Sequence, residues 1–95
     1  MKTYIILTTL TEEGKKKVQN NPDKMKLKPE SVEHRGGEIL EQYALLGPYD
    51  FLTIIRVKDE AAIFRIASEM GAMGTVKTMT LPAISIDAFI NDLKG

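Results

Sequence analysis

Gly47-Pro48-Tyr49-Asp50 separates two apolar runs, Leu45-Leu46 and Phe51-Leu52, and sets a phenol directly beside a carboxylate. An aspartate partly withdrawn from water at such a point can act as a general base, with the tyrosine as a hydroxyl donor. The same four residues also read as a plain hairpin turn. Gly47 frees the backbone, Pro48 fixes φ, and Asp50 accepts hydrogen bonds from turn amides. Tyr49 then packs over the edge of the core with its hydroxyl in water. Tyr43 is either an ordinary strand aromatic or a second donor for the same cavity. His34 is the only histidine and lies in Val32-Glu33-His34-Arg35-Gly36-Gly37. Near a helix end its imidazolium meets the dipole favourably, and a catalytic role requires it to reach Asp50 or Tyr43. The candidates are therefore Asp50 and His34 for catalysis, and Gly47, Tyr49, Asp50 and Tyr43 for ligand binding.

Other chemistries find less support. One histidine and scattered carboxylates give no metal-ligand spacing, and no cofactor motif is present. Gly71-Ala72-Met73-Gly74 lacks the Lys-Ser/Thr of a phosphate loop and follows a helix instead of opening one. It reads as a helix stop and tight turn. Lys15, Lys16 and Lys17 do not share one helix face, and Glu12 and Glu13 flank them.

The chain of 95 residues fits one domain, 1–95. At this size folding buries roughly 60–68% of the unfolded chain's surface, enough for one small core. Thirteen basic residues balance 13 acidic ones, which argues against a dedicated nucleic-acid binder. It also offers little electrostatic protection against self-association. The absence of cysteine excludes disulfides, thiolate metal sites and a cysteine nucleophile, and fits a reducing cytoplasm. The apolar run after Met1 is too short for a signal peptide. No apolar stretch approaches the 18 residues of a membrane span.

The elements that must position these residues follow from periodicity. Tyr4 to Thr8 reads as a strand. Thr11 caps a helix whose first turn carries Glu12 and Glu13. Asn21-Pro22-Asp23 restarts that helix, and Pro29 interrupts it again, so the region to about Arg35 is broken. Glu38 to Leu46 and Phe51 to Val57 read as a hairpin. Asp59 and Glu60 open a helix with Ile63, Ile66, Ala67 and Met70 on one face, and Gly71 is placed to stop it. Val76 to Leu81 is a fourth strand ended by Pro82. Ser85 caps a short last helix with Ile86, Phe89, Ile90 and Leu93 on one face. The fold is thus α+β, a ferredoxin-like β-α-β-β-α-β with a four-stranded antiparallel sheet and a short C-terminal helix.

In this topology the first and third strands are central, and both are apolar on both faces. Ile5 and Leu7 oppose Tyr4 and Ile6; Leu52 and Ile54 oppose Phe51, Ile55 and Val57. Two helices cover only one face, so the other leaves an apolar patch that a second copy would cover. The RNA-recognition fold shares the element order, but Tyr4 and Phe51 are a thin match to its base-stacking aromatics and its basic-Gly-aromatic pattern is absent.

"LTEEGKK", the hairpin "EQYALLGPYDFLTIIRV" and "MGAMGTVKTMTLPAI" together resemble the GYD domain, a family named for a Gly-Tyr-Asp signature. Here the signature falls on Gly47, Tyr49 and Asp50, with Pro48 inserted. The resemblance spans nearly the whole chain and is most specific in the hairpin and "GTVKTMTL". Pro29 is a departure, at a point where a helix is expected to continue. The family is similar to dimeric α/β-barrel proteins, so the resemblance implies a homodimer packed sheet to sheet, with no established activity. Two functions stand open. One is an oligomeric small-molecule-binding or regulatory domain. The other is a cofactor-independent enzyme using Asp50 with Tyr49, Tyr43 or His34.

Overall fold

The computed structural model describes residues 1–95. Its elements are β1 (Lys2–Leu10), α1 (Glu12–Asn20), a 3-10 turn (Pro22–Met25), α2 (Glu30–Glu33), β2 (Gly37–Ala44), β3 (Phe51–Val57), α3 (Glu60–Ala72), β4 (Val76–Ala83) and α4 (Ile86–Lys94). The strands form one antiparallel sheet in the order β2-β3-β1-β4. This is the expected ferredoxin-like α+β arrangement, with β1 and β3 central.

Alternation along the two central strands divides the sheet cleanly. Tyr4, Ile6, Ile55 and Val57 point to the helix layer, where they bury against Val32, Ala62, Ile63, Ile66 and Met70. Each large apolar side chain in this cluster stabilises by about 1.5–3 kcal/mol. The long helices start on side-chain caps. Thr11, Asp59 and Ser85 accept hydrogen bonds from the amides of Gly14, Ala62 and Ala88 at 3.1, 2.9 and 3.1 Å. Each cap is worth about 1 kcal/mol.

The break in the first helical region is larger than two prolines alone suggest. α1 ends at Asn20, and Asn21 caps the 3-10 turn by accepting from the amide of Asp23 at 3.2 Å. The chain then runs extended before Pro29 opens the one-turn α2. Gln42 of β2 pins this extended stretch through a paired amide bond. Its Oε1 accepts from Leu27 N at 2.9 Å, and its Nε2 donates to Leu27 O at 3.0 Å.

Three boundaries correct the sequence reading. α3 passes through Gly71 and ends at Ala72; the left-handed residue that turns the chain is Gly74, at φ 76°. β2 leaves the sheet at Ala44, and its register shifts between Ile39 and Glu41, where Leu40 is bulged out. β4 continues through Pro82, opposite Tyr4. Proline is tolerated there because β4 is an edge strand, where a missing amide need not break a ladder.

α4 buries none of its residues. Ile86, Phe89, Ile90 and Leu93 all remain exposed, as does Ile84 before it. The molecule measures 51 × 30 × 18 Å with a radius of gyration of 14.4 Å, against roughly 12 Å for a compact chain of this length. No helix is long and apolar enough to cross a membrane.

Candidate functional site

The signature loop spans residues 45–50 between β2 and β3. Gly47 takes φ 123°, a conformation that side chains rarely adopt, with open space around it. The loop closes on Asp50, whose carbonyl accepts from Leu45 N at 2.8 Å. Asp50 N donates to Thr8 O at 2.8 Å, and its Oδ2 accepts from Leu10 N at 2.8 Å. The carboxylate therefore extends the β1–β3 ladder beyond the last backbone pair, Thr8 with Phe51. That side chain bonds to one backbone amide and to no other side chain.

Tyr49 turns the other way. Its hydroxyl lies 3.7 Å from Met79 Sδ, and Met79 pairs with Leu7 on the sheet face that no helix covers. Tyr43 belongs to the same face, in the row Tyr43, Leu52, Leu7, Met79 across the four strands. It is 51% exposed. A second row, Glu41, Ile54, Ile5, Leu81, lies beside it. At the far end of the face Arg56 pairs with Glu38 at 2.8 Å. The two tyrosines thus frame an apolar sheet face.

His34 sits at the opposite end of the β2–β3 ladder. Gly37 pairs with Val57 there, whereas Asp50 precedes Phe51. Seven strand residues separate the two ends, about 20 Å at the usual rise. His34 Nδ1–H donates to Glu30 O at 2.7 Å. Its ring meets the Arg35 guanidinium, which also pairs with Glu69. The structure brings Tyr43 and Tyr49 to one face, gives Asp50 a ladder-end role, and joins His34 to neither. None of these residues lines the three principal cavities. No cluster of three or more metal-ligating side chains is present.

Those cavities lie on the helix side. One of about 380 Å³ runs between α2 and α3, lined mostly by apolar groups including Leu27, Val32, Ile66 and Met73. Another of about 270 Å³ lies beside Tyr4 and Phe64. The smallest, about 90 Å³, sits under the 3-10 turn and holds Thr8, Thr53, Gln42 and Lys24 among apolar neighbours. Thr8 and Thr53 are the buried polar residues of the chain, at 4% and 3% exposure. The sequence reading did not single them out, because threonine is an ordinary strand residue. The available signal was a hydroxyl at each of two otherwise apolar, inward-facing strand positions.

A four-stranded antiparallel sheet with helices on one face, an apolar opposite face and a structural Gly-Tyr-Asp loop defines a small ferredoxin-like domain. Its family follows from comparison. The model of the GYD domain family matches residues 4–92, and the chain belongs to that family. A Thermus thermophilus protein named glutamine synthetase and cystathionine beta-lyase binding protein is 39% identical over 95 residues. The match covers 99% of this chain and all of that one. Two crystal structures share the fold. FFRP-DM1 superposes with a TM-score of 0.61 at 19% identity, over 88% of this chain and all of that one. TTHA0845, also from Thermus thermophilus, gives 0.60 at 23% identity, over 90% of this chain and 95% of that one.

Proposed function

We propose that this protein is a non-catalytic binding domain that self-associates through its open sheet face and, so assembled, docks on enzymes of nitrogen and sulfur amino-acid metabolism. The observation that carries self-association is the pair of adjoining rows on that face. Leu7, Leu52, Ile5, Ile54, Met79 and Leu81 meet there with no helix over them. Soluble monomers rarely leave so continuous an apolar surface in water. A second copy is the natural cover, because the same patch then serves both sides of a two-fold interface. The apolar stripe of α4 is a second surface in need of a partner, since a free nine-residue helix is marginal in water.

The enzyme-docking half of the reading rests on the relative's name and on its full-length similarity. Asp50 gives no support to an enzyme, because its carboxylate is engaged by the Leu10 amide and lines none of the three principal cavities.

Light scattering on a size-exclusion column tests the assembly. The expected result is a dimer or larger oligomer at micromolar concentration, and a monomer sinks the reading. Leu7→Glu on the open face is expected to weaken self-association by about 100-fold or more. One substitution enters a two-fold interface twice, and about 3 kcal/mol is enough for that change. Titration calorimetry with purified glutamine synthetase and cystathionine β-lyase tests the docking. Absence of heat with both enzymes refutes that half.

A further inference from the structure

We infer that the 90 Å³ cavity beneath the 3-10 turn is a binding site for a small carboxylate of no more than about six non-hydrogen atoms. Thr8 on β1 and Thr53 on β3 are diagonal neighbours on the helix-facing side of the sheet. Both residues are more than nine-tenths buried. Neither hydroxyl takes part in a side-chain hydrogen bond of the chain, and neither is a sealed polar atom, so both open onto the cavity that they line. A hydroxyl open to a cavity still has a hydrogen bond to offer, so these two can meet a polar group that enters the space.

The surroundings narrow the chemistry. Both polar ends of the Gln42 amide are already bonded to Leu27, so Gln42 shapes the wall. Leu10, Val18, Met25, Phe51, Met70 and Val76 suit a short hydrocarbon body. Lys24 is the only charged residue on the lining and is itself exposed. Two hydroxyls can each donate to a carboxylate oxygen or a carbonyl, and one ammonium supplies the countercharge. The volume admits roughly three waters or one molecule of that size. It excludes nucleotides and most amino acids.

The site lies on the opposite side of the sheet from the face assigned to self-association, so the two readings fail independently. Two-dimensional amide NMR with sodium acetate, propionate and pyruvate tests the site, with the oligomeric state of each sample measured in parallel. Saturable shifts centred on Thr8, Thr53 and Leu27 are expected. The isosteric Thr8→Val/Thr53→Val pair is expected to abolish them while keeping or raising the melting temperature. Lys24→Gln, at an exposed position, is expected to weaken binding about tenfold and does not depend on how the valine pair folds. No saturable shift up to about 20 mM in the wild-type chain, on the order of a very weak ligand, overturns the proposal. So does undiminished binding in Lys24→Gln and the valine pair, which would leave the hydroxyls to ordered water.

Discussion

Gly14→Ala is expected to lower the melting temperature by about 10–20 °C, although alanine is the better helix former. Gly14 lies inside α1 and is buried against the loop after α3. A methyl group there would overlap the Thr75 carbonyl oxygen and come within 3.0 Å of its carbon and 3.2 Å of Leu10 Cδ2. The obstacle is backbone, which has little room to give. Thr75 O is held by Thr11 N at 3.0 Å, and the Thr11 hydroxyl donates to Gly74 O at 2.8 Å. Overpacking of this kind costs about 1–3 kcal/mol or more, and each kcal/mol moves a domain of this size by about 4–8 °C. Gly71→Ala is the control. It also sits within a helix, but nothing lies within 4 Å of the added carbon. There the propensity gain of about 0.5–1 kcal/mol is free to appear, and the melting temperature is expected to rise. Thermal unfolding of both variants by circular dichroism decides the matter. Equal shifts of the same sign would refute the close approach at Gly14.

Removal of the Asp50 carboxylate has the second large effect. Asp50→Ala leaves the half-buried amide of Leu10 without its acceptor, at a cost of about 2 kcal/mol. Asp50→Asn keeps an oxygen in place and is expected to cost roughly half as much, because the bond loses its charge assistance. Denaturant unfolding measures both. Amide exchange at Leu10 localises the change, since protection there should fall in the alanine variant and persist in the asparagine one. Full stability in Asp50→Ala would remove the ladder-end role.

The order of elements and the limits of β3 were legible because Phe51 to Val57 combines β-branched density with turn residues on both sides. The central position of β1 and β3 followed from the ferredoxin-like element order, and apolar side chains on both of their faces agree with it. The ends of β2 and α3 were not legible. Leu45 and Leu46 look like strand, but the Leu45 amide is taken by Asp50 across the loop, and Leu46 is left in water. Gly71 looks like a stop, but its setting in α3 has no steric demand, whereas Gly74 must take a positive φ. Of the candidate site, the Gly-Tyr-Asp loop was visible in sequence but its division of labour was not. Adjacent residues point to opposite sides of a strand end, so Tyr49 joins the open face and Asp50 the ladder. His34 and Asp50 were separated by a register that only pairing reveals.

Pro82 and the Leu40 bulge sit on the two outer strands, β4 and β2. An incoming strand needs an unbroken row of amides and carbonyls to template on. Pro82 has no amide to offer, and the bulge throws the opposite row out of phase. Edge-to-edge growth, the route by which small sheets polymerise into filaments, is therefore blocked at both borders. The two irregularities keep either border of the sheet from serving as a template for a further strand.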